Sequence, residues 1–180
     1  MFQSKLQNPF FLLRRGNQNK VLYCSGPIKE FRYIHDIPIQ TAPTSIDVLD
    51  SISLIPFSQA KERGFDVHDN GETIKSLLIE HREDIDLDRI LNDLPKTNVS
   101  LDDIEYDSSE ADYEAIIHQI IKNEIGHGEG ANFVIPRRFK AHLSGKPLDS
   151  VLSIFRSLLT NEYGAYWTFL FYDGSSFVIG

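Results

Sequence analysis

Apolar residues in the first third of the chain come in short runs divided by turn residues, the pattern of strands joined by tight connections. The segments "NPFFLLRR" and "KVLYCSG" flank "GNQN" and predict a hairpin whose loop is slightly longer than the tightest kind. Ile and Val alternate in "SIDVLDSISLIPF", and "TIKSLLIEH" follows the turn signal "HDNGE", so several antiparallel strands are expected here. The polar link "SQAKERG" suits one helical turn ended by Gly64.

Further along, the period lengthens. Tyr113, Ile116, Ile117, Ile120 and Ile121 fall at i, i+3, i+4, i+7 and i+8, which predicts an amphipathic helix with one buried stripe. Ser109, with Asp112 three residues later, is placed to cap its start, and Gly126 to supply the left-handed residue at its end. Beyond it "ANFVI" predicts a buried strand, and "DSVLSIFRSLLTNEYG" a second helix that turns Val151, Leu152, Phe155, Leu158 and Leu159 inward. The segment "AYWTFLFYDGSSFVIG" predicts a hairpin turning at Asp173-Gly174. Trp167, Phe169 and Phe171 fall on one face of its first strand and Tyr166, Leu170 and Tyr172 on the other, as core residues. Together these elements give an α+β fold of antiparallel sheets flanked by helices. With 180 residues a single domain, residues 1–180, is expected, since domains commonly run to roughly 100–200 residues.

Charge narrows the function. A formal net charge of -8 argues against a protein that binds nucleic acid by neutralising phosphates. The acidity concentrates in a crossing segment, 83–112, and from Glu83 to Glu114 there are twelve acids against two bases. This stretch reads as a solvated, partly irregular loop with a short helix at "DLDRILNDL"; a divalent-metal site is the sharper alternative, but the spacing of a calcium loop is missing. Cys24 is the only cysteine, which excludes an intramolecular disulfide and a cysteine-rich zinc site and suits a reducing cytosol. The apolar run Phe10 to Leu13 stops at Arg14 and Arg15, too soon for a signal peptide or a bilayer span, so a cytoplasmic protein without a membrane partner is expected.

The glycines of "GHGEGANFVIPRRF", residues 126–139, suggest a phosphate cradle, but in such a cradle a strand leads in and a helix leads out. Here the predicted order is reversed, and a Walker-type Gly-Lys-Ser/Thr is absent. A helix end and a tight entry into a strand explain Gly126, Gly128 and Gly130. Asn132 is left over, because an amide near the start of a buried strand must find hydrogen-bond partners in the core or on a ligand. His118 reads as a helix-surface residue, and His127 with Glu129 falls short of a zinc ligand set.

Together with "LIPFSQAKERGFDVHDNGE" and the closing "FVIG", the stretch "IIHQIIKNEIGHGEGANFVIPRRF" resembles the chorismate-utilising enzymes, above all the phenazine-type aminodeoxyisochorismate synthases and anthranilate synthase component I. The resemblance implies the N-terminal part of a larger two-layered sandwich that binds chorismate with Mg2+. It further implies amination of chorismate, to 2-amino-2-deoxyisochorismate or anthranilate, with ammonia from a glutamine amidotransferase domain or subunit. In the water-using relatives a lysine occupies the position that aligns with Asn132. An amide there suits ammonia, which needs no general base once delivered unprotonated. Asn132 is therefore the candidate catalytic residue on the nucleophile's side. Arg137 is the candidate for holding a substrate carboxylate through a bidentate pair, against the simpler reading of Arg137 and Arg138 as a solvated strand end.

Three departures from the family matter. The family's catalytic His, most of its chorismate contacts and its magnesium-binding glutamates belong to a long C-terminal half that nothing in residues 1–180 matches. The resemblance therefore implies a chain that is inactive alone, holds no Mg2+ by identifiable residues, and associates through uncovered edges, with a complementary C-terminal half as partner. The alternative is a non-catalytic module that pairs with a synthase or an amidotransferase subunit, its acidic segment facing a basic partner. Second, tryptophan-inhibited anthranilate synthases carry Leu-Leu-Glu-Ser where this chain has Leu12-Leu13-Arg14-Arg15, which implies no tryptophan feedback. Third, Pro136-Arg137-Arg138 stands where phenazine-type relatives tend to have Arg-Arg-Asp.

Overall fold

The computed structural model describes residues 2–16, 18–38, 51–162 and 164–180. In chain order its strands are β1 (Phe10–Arg15), β2 (Lys20–Ser25), β3 (Ile28–Phe31), β4 (Ser51–Leu54), β5 (Ile74–Leu78), β6 (His81–Asp86), β7 (Leu101–Tyr106), β8 (Phe139–Leu143), β9 (Trp167–Tyr172) and β10 (Phe177–Ile179). The α-helices are α1 (Leu87–Asp93), α2 (Glu110–Asn123) and α3 (Pro147–Asn161). All strand pairs are antiparallel, so the class is α+β as expected. The chain divides into two compact units, Met1–Lys96 with Val151–Gly180, and Thr97–Ser150. Among the described residues no helix is long and apolar enough to cross a membrane.

In the first unit, β1 and β2 form the predicted hairpin within a sheet of order β10-β9-β1-β2-β6. Residues directly opposite each other point to the same side, so Phe11, Leu13, Leu22, Cys24 and Phe171 share one face and Phe10, Leu12, Tyr23 and Leu170 the other. The first face meets the smaller sheet, β3-β5-β4: Leu22, Cys24, Leu77 and Phe171 form a buried cluster against which Phe11, Leu13, Ile28, Ile52 and Leu54 pack. Arg14, on the second face, donates to the Leu159 carbonyl at 2.7 Å, which places α3 on that side. There α3 buries Val151, Leu152, Phe155 and Leu159 as its period predicts, while Leu158 is only half-buried. Each fully buried Leu or Phe contributes about 1.5–3 kcal/mol. The core role expected of the aromatic strand holds for Leu170 and Phe171. It fails for Tyr166 and Trp167, which are exposed at the end of the sheet, where Trp167 pairs with exposed Arg15.

The two sheets are one bent ribbon. Past Gly26-Pro27 β2 continues as β3, and past Ile79-Glu80 β5 continues as β6, so the pair β2–β6 of one sheet becomes the pair β3–β5 of the other. The bend is held by the Leu78 amide donating to the Pro27 carbonyl at 2.9 Å and the Glu80 amide to the Ser25 carbonyl at 3.0 Å. The helical turn expected in "SQAKERG" is a 3-10 stretch, Phe57–Arg63, ended by left-handed Gly64 (φ +83°). Of "SIDVLDSISLIPF", the part before Ser51 lies outside the described residues and the rest supplies β4. The last hairpin forms with Tyr172 opposite Phe177, so its loop has four residues, 173–176, rather than the two of Asp173-Gly174. The Asp173 carboxylate accepts the amides of Ser175 and Ser176 and thereby shapes the wider turn.

Segment 83–112 is more regular than expected. Its start belongs to β6, its predicted short helix is α1, and β7 lies beyond. The charges of β6 conceal a strand because β6 is the edge of its sheet, where charged side chains are tolerated and discourage further pairing.

The second unit differs in kind. β7 and β8 form a two-stranded ribbon with an irregularity between Asp102 and Glu105, where Asp103 is left-handed (φ +52°). The cap of α2 is as predicted, with Ser109 Oγ accepting the Asp112 amide at 3.1 Å and donating to its carboxylate at 2.6 Å. The stripe it was to bury is not buried, however: Tyr113, Ile117 and Ile120 are half-buried, and Ile116 and Ile121 are exposed. A 3-10 turn, Ile125–His127, prolongs the helix, so the left-handed residue is Gly128 (φ +80°) instead of Gly126. The strand expected at "ANFVI" is absent. Residues 131–138 are neither helix nor strand, Val134 is 91% exposed, and the strand that precedes α3 is β8. Sequence preference alone does not make a strand; pairing does, and among the described residues no strand lies beside 131–135.

Candidate functional site

The residues singled out by sequence sit in the second unit, on the chain between the end of α2 and the start of β8. Asn132 lies in the irregular stretch and is exposed, not enclosed in a strand as expected. Arg137 is half-buried between two tyrosine rings, its guanidinium carbon 4.5 Å from the centre of the Tyr106 ring and 5.4 Å from that of Tyr113. Tyr106 is the last residue of β7 and Tyr113 lies in the first turn of α2, so both rings are placed by regular structure. The Tyr113 hydroxyl donates to the Ile135 carbonyl at 3.1 Å, and Arg137 Nη2 reaches the Ser108 carbonyl at 3.4 Å. Cation–π contacts contribute about 0.5–1 kcal/mol each at exposed sites; the two here hold Arg137 beside β7 and α2, and the Tyr113 hydroxyl holds the Ile135 carbonyl. Arg137 Nε is buried with no hydrogen-bond partner among the described residues.

Arg138 behaves differently. Its amide donates to Asp107 Oδ1 at 3.1 Å and its Nε to Oδ2 at 3.3 Å, while the side chain stays in solvent. The hydrogen bond from the Arg138 amide, aided by its guanidinium and opposed by some loss of solvent, holds the Asp107 carboxyl below the usual carboxylate range. Asp107 therefore stays ionised and neutralises Arg138. Around this pair lies an open cleft of about 700 Å³, lined by Glu105, Tyr106, Asp107, Arg137, Arg138, Phe139 and Lys140. With Arg138 committed to Asp107, Arg137 and Lys140 carry its unneutralised positive charge against Glu105. Such a cleft can hold an anion with an apolar body. Sequence reasoning missed Tyr106, which is hidden in the acidic stretch, and counted Tyr113 only as a stripe residue. The signal that finds them is a pair of tyrosines on two neighbouring elements near an arginine.

A second, apolar cleft of about 570 Å³ lies in the first unit, lined by Phe11, Leu13, Leu22, Ile52, Leu54, Trp167 and Phe169 with Ser53 and Arg15. This is where Leu12-Leu13-Arg14-Arg15 sits. Arg14 turns away, donating to the Leu159 carbonyl and, through Nε, to the Gln18 carbonyl at 3.0 Å, which leaves Arg15 at the cleft. A guanidinium there repels the ammonium group of tryptophan and offers it no acceptor. Titration calorimetry with tryptophan is expected to show no binding; heat of association at micromolar affinity would overturn this.

No family model matches the chain. Among curated proteins, the phenazine-specific anthranilate synthase of Pseudomonas chlororaphis is 40% identical over 155 residues, and that of Pseudomonas fluorescens 38% identical over 155 residues. Each match covers 86% of this chain, and the chain spans 24% of each relative's length. Across that stretch the chain is kin to the phenazine-specific anthranilate synthases and corresponds to about a quarter of one.

Proposed function

We propose that this chain contributes to a chorismate-aminating synthase, yielding 2-amino-2-deoxyisochorismate or anthranilate with ammonia supplied by a glutamine amidotransferase domain or subunit. The observation that carries the reading is the 40% identity to a phenazine-specific anthranilate synthase over most of the chain. In this reading the chain does no chemistry alone, because an exposed Asn132 on an irregular segment cannot position a nucleophile to the sub-ångström precision that orientation demands. Asn132 guides ammonia once its segment is held, and Arg137, held beside its two tyrosines, offers an N–H donor to a carboxylate of the substrate. The resemblance also brings Mg2+, but among the described residues no three His, Cys, Asp or Glu side chains gather closely enough to hold an ion.

The test is turnover of chorismate with ammonium salts, measured for the chain alone and for the chain combined with the portion of the Pseudomonas chlororaphis protein that it does not match. The chain alone is expected to be inert and the combination to consume chorismate only when ammonia is present. Within that combination Asn132→Ala is expected to lower kcat about tenfold or more with little change in the KM for chorismate, the mark of an interaction made in the transition state. Equal kcat for both proteins would remove Asn132 from the mechanism.

A further inference from the structure

The turn "HDNGE" lies between the 3-10 stretch Phe57–Arg63 and β5, and its residues line neither cleft described above. Of the nine asparagines in the chain only Asn70 precedes a glycine. The Asn70 side-chain carbon and the Gly71 nitrogen can close a five-membered ring, and glycine places no Cβ beside that nitrogen. Residues 65–73 are neither helix nor strand, and Asp69, Asn70, Gly71 and Glu72 are all exposed. Among the described residues nothing stands within 4 Å of where a Gly71 Cβ would be, so the ring has room to form. Three contacts add chemistry to this room. The Gly71 amide donates to Asp69 Oδ1 at 3.0 Å, within reach for handing its proton to a base. Lys61 Nζ donates to Asp69 Oδ2, so the fold fixes that carboxylate from eight residues away. The Glu72 amide donates to Asn70 Oδ1 at 3.4 Å, on the oxygen that gains negative charge when the side-chain carbonyl is attacked. The hydrogen bonds from Lys61 and Gly71 hold the Asp69 carboxyl below the usual carboxylate range, so it is ionised and free to accept a proton. Asp173-Gly174 offers the same ring within this chain, but its carboxylate is 6% exposed and engaged by Lys75, Ser175 and Ser176, and an ionised carboxylate is a poor electrophile.

We infer that Asn70 is a self-modification site, at which its side chain cyclises onto the Gly71 nitrogen with Asp69 as the base and water as the only other reactant. The Gly71 nitrogen attacks the Asn70 side-chain carbon while Asp69 takes the amide proton. The bond to the side-chain nitrogen then breaks, and that nitrogen leaves as ammonia with the proton that Asp69 returns. Water opens the cyclic imide at either of its two carbonyl carbons. Opening at the side-chain carbon gives aspartate, and opening at the main-chain carbon gives isoaspartate; nothing is oxidised or reduced. Both products add a negative charge beside Asp69 and Glu72, and isoaspartate also lengthens the main chain by one carbon. That extra length falls just before β5, where the Thr73 hydroxyl is tied to Glu30 Oε2 at 2.8 Å and Ile74 is buried, so residues 70–72 must absorb it. The site is independent of the chorismate reading.

Peptide mass mapping of the folded chain during incubation at neutral pH tests it, with a synthetic peptide of residues 66–74 followed in the same buffer. The fragment holding Asn70 is expected to gain about 1 Da as its amide becomes a carboxylate, and to separate into two isomeric products. The fragment holding Asp173-Gly174 is expected to stay a single species. The folded chain should modify at least about threefold faster than the peptide, because only the fold holds Asp69 in place through Lys61. Asp69→Asn is expected to lower the rate in the folded chain about tenfold, less than a base of matched pKa supplies, and to change the rate in the peptide little. The substitution lies in an exposed turn, and an unchanged melting curve confirms that the variant is folded. An Asn70 that stays intact overturns the inference, and so does a folded chain that modifies no faster than the peptide. A rate in the folded chain that Asp69→Asn leaves unchanged or raises overturns it as well.

Discussion

Gly26→Ala is expected to cost the first unit at least about 3 kcal/mol, because a side chain forced into packed backbone costs typically 1–3 kcal/mol even where neighbours can yield. Here they cannot. A Cβ at residue 26 would lie 1.8 Å from the Leu78 carbonyl oxygen, 3.0 Å from its carbon and 3.1 Å from the Glu80 nitrogen, all backbone atoms. Gly26 is not a left-handed residue, so its role is room rather than conformational freedom. Relief would require the ribbon to open where it bends from one sheet into the other, breaking the bonds from Leu78 to Pro27 and from Glu80 to Ser25. Leu22 and Leu77, on either side of the bend, belong to the buried cluster and would separate with it. Urea unfolding followed by circular dichroism should show the midpoint fall sharply; a loss below about 1 kcal/mol would mean that the bend is softer than this packing requires.

The sequence was legible where apolar residues and pairing partners agree. β1, β2, β5, β9 and α3 were all readable because each buries an apolar face against another part of the same unit. Two opposite errors share one cause. His81–Asp86 is charged yet a strand, since β2 lies beside it and an edge admits charge. Residues 131–135 are apolar yet not a strand, since among the described residues none lies beside them. Local pattern reports what a segment would bury, whereas pairing depends on which edge is offered, and that is a property of distant residues. The same limit governs the candidate site. Asn132 and Arg137 were readable as residue types worth attention, but the clasp of Arg137 by Tyr106 and Tyr113 depends on β7, which the acidic composition concealed.

The second large effect is expected at Asp173, whose replacement by asparagine should cost about 2 kcal/mol at neutral pH, in the range for removing a charged hydrogen-bond partner from a buried site. Its carboxylate is 6% exposed and accepts Lys75 Nζ at 2.5 Å, the Ser175 amide at 2.8 Å, the Ser175 hydroxyl at 2.9 Å and the Ser176 amide at 2.6 Å. Lys75 belongs to β5, the central strand of the smaller sheet, so this carboxylate ties the β9–β10 turn to the opposite layer. Burial pushes the Asp173 carboxyl up, but the hydrogen bond from Lys75 and those from Ser176 and Ser175 together outweigh it and hold it well below the usual carboxylate range. Because the folded value is depressed, the unfolded chain binds the proton more readily, with an ordinary aspartate pKa of about 3.9. The stabilisation is therefore complete above about pH 5 and shrinks as the pH falls through and below 4. The stability gap between the native protein and Asp173→Asn should narrow over that range, since a protonated aspartate loses the same charge that asparagine lacks. Urea midpoints measured for both proteins from pH 7 down to pH 3 decide it: a gap that stays constant would show that Asp173 acts through the shape of the turn and not through its charge.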